Sequence, residues 1–174
     1  IRGKQMLVLP IYVQVYTIEI KMSAPESPRK KQRMDPRRIR GNMTFPDGSV
    51  YDGELKLSIP NGQGTMTYAD GREYVGQWKD GERHGKGIMR YVSGSVYEGE
   101  WENGKKNGNG MVTWPDGNTY DGQWENGKRN GKGTTRYENG AVYDGEWENN
   151  IEQGNGTVTW PDGSVFMGTF EKGS

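Results

Sequence analysis

Few side chains in this 174-residue chain are suited to covalent or metal chemistry. His84 is the sole histidine, and there is no cysteine. A disulfide framework and a multi-His or thiolate metal site are thereby excluded, and a nucleophilic triad would rest on one imidazole. Two stretches imitate ligand loops and fail on counting. In Gly127-Lys-Arg-Asn-Gly131-Lys132 three residues separate the glycines where a P-loop has four, and Gly133 stands where Ser or Thr would hold magnesium. Asp116 to Gly122 puts Tyr120 at the fifth position of a calcium loop and Gly at the seventh instead of the sixth. Carboxylates are plentiful, but they recur as copies of one surface position, whereas a catalytic pair needs one copy to differ. These residues give no expectation of an enzyme, a cofactor or a metal.

What remains is charge. Arg83, Lys86, Lys105, Lys106, Lys128, Arg129 and Lys132 recur in one segment that reads as a loop. Stacked along one edge, they are the candidate contacts for acidic phospholipid or for a partner. The competing reading is ordinary solubilising charge at a sheet margin, given Glu82 nearby and an acidic sheet. His84 aligns with Asn107 and Asn130 in the same segment and reads as a polar turn residue.

The elements that position these charges follow from a period. Tyr51, Tyr74, Tyr97, Tyr120, Tyr143 and Phe166 are each 23 residues apart. Counting that aromatic as position 1, Tyr, Gly and Trp at positions 1, 3 and 5 have the period of two that puts alternate strand residues on one face. Gly pairs stand at positions 12 and 14, as at Gly85/Gly87 and Gly108/Gly110. Position 18 is always aromatic, from Phe45 to Trp160, and position 21 is always Gly. Two strands per unit then share one aromatic face, with Gly leaving room for a ring over the backbone. Positions 2, 4 and 6 face away and are acidic at Asp52/Glu54, Glu98/Glu100/Glu102 and Asp144/Glu146/Glu148. Arg90 and Arg136, at position 17, share that face opposite or diagonal to Glu98 and Asp144. Pro-Asp-Gly at 46–48, 115–117 and 161–163 suits a tight turn, while Asn-Gly at 103–104 and 126–127 and Asp-Gly at 80–81 mark the other, longer loop.

Leu, Ile, Val and Phe make up about 15% of the chain, too little for an ordinary core. The rings reverse that inference, because all six Trp and eight of the ten Tyr fall within the repeats and supply large buried area. The fold class is therefore all-β: an elongated, twisted single-layer antiparallel sheet of tandem hairpins, about five to six units extending roughly 50–60 Å. The pattern Tyr-x-Gly-x-Trp, Gly near position 8, Gly-x-Gly at 12–14 and Asp-Gly at 20–21 closely resembles the MORN (membrane occupation and recognition nexus) repeat. Departures are Leu55 for Trp and Ser58 for Gly, Asn150 for Gly, and Phe166 and Phe170 for Tyr and Trp. The resemblance implies a curved sheet used for protein association and, in some members, contact with phospholipid membranes. It extends to lipid kinases and a SET-domain methyltransferase, whose catalytic motifs do not occur in this sequence.

Residues 1–40 carry ten Lys/Arg against three Asp/Glu, and residues 41–174 thirteen against twenty, so a basic arm precedes an acidic body and the whole chain has zero net charge. The arm, 1–40, reads as disordered, with 1–21 as translated leader if Met22 is the start. Its apolar stretch from Met6 to Ile20 is too short to span a bilayer. Ser27-Pro28 before the basic run 29–33 is a candidate phosphosite beside a nuclear-import or anionic-lipid signal. The array divides into a half unit 41–50, units 51–73, 74–96, 97–119, 120–142 and 143–165, and a partial unit 166–174. The expected function is a cytoplasmic, non-catalytic protein-interaction scaffold, with homodimerisation through an open end strand and without nucleic acid as a partner. The alternatives are a peripheral membrane module for acidic phospholipids, near membrane, cytoskeleton or cilium, and the regulatory region of a phosphatidylinositol-phosphate kinase or SET-domain methyltransferase.

Overall fold

Alternation of ring and polar residues, broken every few residues by Gly, Asn or Asp, yields strands joined by short turns over the described residues. The computed structural model describes residues 17–20 and 38–171. It contains β1 (Thr17–Ile20), β2 (Arg38–Thr44), β3 (Val50–Lys56), β4 (Ile59–Thr67), β5 (Glu73–Lys79), β6 (Glu82–Arg90) and β7 (Val96–Glu102). There follow β8 (Lys105–Thr113), β9 (Thr119–Glu125), β10 (Lys128–Arg136), β11 (Val142–Glu148), β12 (Ile151–Thr159) and β13 (Val165–Phe170). All thirteen form one sheet in sequence order, each strand antiparallel to the next. At about 4.8 Å per strand, the sheet runs roughly 58 Å from end to end.

The two kinds of connection are the reverse of the expected assignment. Asp80-Gly81, Asn103-Gly104 and Asn126-Gly127 are two-residue turns with both φ positive, 50° and 86° at the first pair. That is the type I′ hairpin turn, whose twist matches the strands it joins. Leu57-Ser58 and Asn149-Asn150 adopt it too, without a Gly. Pro-Asp-Gly forms the longer link. Trp114 N–H donates to Asn118 O (2.9 Å), Gly117 N–H donates to Trp114 O (3.0 Å), and Gly117 has φ +88°. Asp116 Oδ1 accepts from Asn118 N (3.0 Å), which explains the Asp before Gly.

Each hairpin also carries a bulge. Gly99 pairs with Gly110 and Trp101 with Lys106, so Glu100 alone opposes Asn107, Gly108 and Asn109. Two extra residues preserve parity, and position 10 lands on the same face as the Trp of position 5. The supposed loop at positions 9–13 is therefore strand: His84 lies within β6 and is half-buried.

The core is a row of rings. Tyr51, Tyr74, Tyr97, Tyr120 and Tyr143 have no exposed surface, and the Trp residues at position 5 are buried beside them. β1 departs from the expectation of a disordered arm: Thr-Ile-Glu-Ile, β-prone and alternating, pairs with the outer edge of β2, Thr17 opposite Thr44 and Ile20 opposite Gly41. Ser27 and the 29–33 basic cluster lie outside the described residues.

Candidate functional site

On one face the rings interlock. Tyr97 meets Trp101 of its own strand edge-on at 5.1 Å and Trp124 of the next repeat at 5.3 Å. The same contact recurs without a break from Tyr51–Trp78 to Tyr143–Phe170 and Phe166–Phe170. Each such pair contributes about 0.5–1.5 kcal/mol beyond its buried area. The polar ends of the rings are satisfied by backbone. Tyr97 Oη donates to Glu100 O (2.9 Å), and Trp124 Nε1 donates to Gly110 O (2.8 Å) one repeat earlier. Burial raises the phenol pKa of Tyr51, Tyr74 and Tyr97 well above the usual tyrosine range, and pushes Tyr120 and Tyr143 up to about 12. This zipper uses the Tyr and Trp side chains of positions 1 and 5 for the fold itself.

The seven candidate cations do not form one row. Arg83, Lys106 and Arg129, at position 10, point onto the aromatic face. Arg83 stacks on Trp101 (4.5 Å) and donates from Nη2 to Gly104 O (2.5 Å). Arg129 stacks on Trp147 (4.0 Å) and donates to Asn150 O (2.9 Å). The Lys106 ammonium sits among Tyr91, Tyr97 and Trp124 at 5.2, 4.7 and 4.6 Å. Desolvation, with Arg83 as a nearby like charge, brings its pKa down to about 8. Lys105 and Lys128 stand at consecutive hairpin tips, while Lys86 and Lys132 belong to the opposite face. The two-residue turn, in place of the expected longer loop, causes this dispersal by pairing position 10 with the Trp of position 5 on the aromatic face.

The opposite face is open. Position 4 holds Glu or Gln in the five full units, and these side chains fold over the bulge: Gln77 Oε1 accepts from Lys86 N (2.9 Å) and Gln123 Oε1 from Lys132 N (2.8 Å). Beyond them one cross-strand row reads Asp52, Thr65, Val75, Ile88, Glu98, Met111, Asp121, Thr134, Asp144 and Thr157. Arg90 pairs with Glu73 (3.8 Å), across the link opposite to the one expected. A groove of about 560 Å³ crosses β5 to β9 on this face, lined by Val75, Ile88, Glu98, Met111 and Asp121 among others. Among the described residues, no group of three or more His, Asp or Glu side chains is placed to hold a metal ion. No helix among them is long and apolar enough to cross a membrane.

The family model of the MORN repeat matches residues 51–71, 74–96, 97–119, 120–142 and 143–165. The chain belongs to the MORN-repeat family. No curated protein sequence matches it. Among solved structures, it is similar to the TCP domain of Drosophila melanogaster SAS-4 (dCPAP), solved in complex with a proline-rich motif of Ana2 (dSTIL). Identity is 13% and the TM-score 0.44, over 86% of this chain and 100% of that one. The wild-type TCP10 domain of Danio rerio CPAP, solved with a peptide of Danio rerio STIL, matches at 14% identity and a TM-score of 0.34, over 96% and 84% of the chains.

Within the MORN array, sequence reasoning identified the rings and the Gly pairs but missed the position 4 acceptors and the apolar members of the open row. The signals were present. Glu or Gln at position 4 of all five full units marks a long acceptor with a fixed task, and Val75, Ile88 and Met111 stand where other full units carry Asp, Glu or Thr.

Proposed function

We propose that this MORN array is a non-catalytic scaffold that docks protein partners on its open face. One observation carries the reading. The zipper takes up the Tyr and Trp of positions 1 and 5, and on the opposite face the row of positions 2, 4, 13 and 15 leaves a partner a long surface along which the copies differ. Acidic residues along that row favour partners with basic segments. The test is to cross-link the purified chain to a captured partner and map the cross-linked residues. Contacts concentrated on the open face support the scaffold. The membrane reading is its competitor and uses the lysines of the hairpin tips. If the chain sediments with acidic liposomes in a salt-sensitive way, and Lys105→Glu with Lys128→Glu abolishes this, the scaffold reading falls.

A further inference from the structure

Three of the four residues that break the repeat pattern on this face cluster at one place, the fourth, Met167, standing at the far end of the array. Position 2 is Asp52, Glu98, Asp121 and Asp144 in four units but Val75 in the second and Met167 in the partial last unit. Position 15 is Thr65, Thr134 and Thr157 in three units but Ile88 and Met111 in the second and third. Register brings them into a single line: Val75 opposes Ile88, Ile88 opposes Glu98, Glu98 opposes Met111, and Met111 opposes Asp121. Val75 and Met111 are 44% and 42% exposed, so much of this apolar surface is left out of the core, and other full units carry polar residues at the same positions. The line forms part of the groove on the open face.

Charge and pitch select the occupant. Glu98 and Asp121 alternate with the apolar residues, which repels an anionic lipid surface and a second copy of this acidic face, and attracts Lys or Arg. The line advances about 4.8 Å per strand, so its five members lie near 0, ~5, ~10, ~14 and ~19 Å. A helix rising 1.5 Å per residue places residues i, i+3, i+7, i+10 and i+14 at about 0, 4.5, 10.5, 15 and 21 Å on one stripe. A polyproline helix repeats only every ~9.3 Å and so skips alternate strands, missing either Val75 or Ile88.

We propose that Val75, Ile88 and Met111, with Glu98 and Asp121, dock one amphipathic helix lying across the strands. Its stripe is apolar at i, i+3 and i+10 and carries Lys or Arg at i+7 and i+14. This deepens the scaffold reading by naming the partner's chemistry.

The test uses the full chain and a synthetic 15-residue helical peptide with Leu at its first, fourth and eleventh positions and Lys at its eighth and fifteenth. Binding is read by fluorescence anisotropy and mapped by amide chemical shifts. The variant Val75→Asp/Ile88→Thr/Met111→Thr restores the residue types of sister units, and its fold is checked by thermal melting. We expect it to weaken binding at least tenfold, Glu98→Lys/Asp121→Lys to do the same, and a Lys→Glu peptide not to bind. Shifts are expected across β5 to β9 on the open face. Equal binding to chain and variant, no binding to the chain, or shifts confined to the hairpin tips overturns the site. A partner captured equally by the chain and the restored variant also removes the site but leaves the scaffold standing. Partner cross-links confined to the tips remove the scaffold itself.

Discussion

Replacing Gly110 by Ala tests whether the Gly pairs exist to seat the tyrosine rings. A Cβ on Gly110 would stand 2.6 Å from Tyr97 Cζ and 2.7 Å from Cε2, with the phenol oxygen closer still. The ring has nowhere to go. Tyr97 is fully buried, held edge-on by Trp101 and Trp124, and tied through its hydroxyl to Glu100 O. Displacing it by an ångström weakens two ring contacts at about 0.5–1.5 kcal/mol each and a hydrogen bond at about 1 kcal/mol. Overpacking strain adds about 1–3 kcal/mol. We expect a loss of about 3–5 kcal/mol in urea unfolding followed by tryptophan fluorescence. Gly117→Ala is the control. Nothing lies within 4 Å of its Cβ, and only its φ of +88° penalises alanine, by about 1–2 kcal/mol. In a Tyr97→Ala background, Gly110→Ala enters vacated space and is expected to cost less than about 1 kcal/mol, a coupling that a double-mutant cycle measures. Equal losses at Gly110 and Gly117, or additivity of Tyr97→Ala and Gly110→Ala, would refute the reasoning.

Leu57-Ser58 occupies a type I′ turn with φ of 52° and 63°, so Leu57→Asn/Ser58→Gly is expected to stabilise the array by about 1–2 kcal/mol; an unchanged urea midpoint counts against it. Thr135 is buried where sister units place Met or Val, and its hydroxyl finds no hydrogen-bond partner among the described residues. Thr135→Val is expected to gain about 1–2 kcal/mol in the same assay, and a loss would mean that the hydroxyl is satisfied. Stability also depends on alkaline pH in two opposed ways. The Lys106 amine, brought down to about 8, sheds its proton in the fold while the unfolded chain keeps one up to about 10.5, so Tm rises with pH across that window. The buried phenols are raised, so their contribution is complete below the ordinary tyrosine value of about 10 and is lost as pH climbs beyond it. A shallow rise from pH 8 followed by a steep fall above 10 is expected in thermal melts, and Lys106→Met is expected to remove the rise alone. A Tm that falls steadily from pH 8 would overturn the assignment.

The sequence by itself determined the period, the all-β class and which of Tyr, Gly and Trp share a face. These depend on local alternation, which a strand converts into sidedness without reference to its neighbours. It also carried the type I′ signature in Asn103-Gly104 and Asn126-Gly127, although Pro-Asp-Gly drew the reading toward the wrong link. Tertiary structure alone decided the rest. The width of the bulge opposite Glu100 is fixed by cross-strand hydrogen bonds and by the Gln or Glu that covers it, while the pairing of position 10 with position 5 across the two-residue turn put Arg83, Lys106 and Arg129 on the rings instead of at a solvent edge. Register likewise brought Val75, Ile88 and Met111, 13 and 23 residues apart, into one line on the open face. Contacts between strands depend on how neighbouring units pair, and that information does not reside within any single repeat.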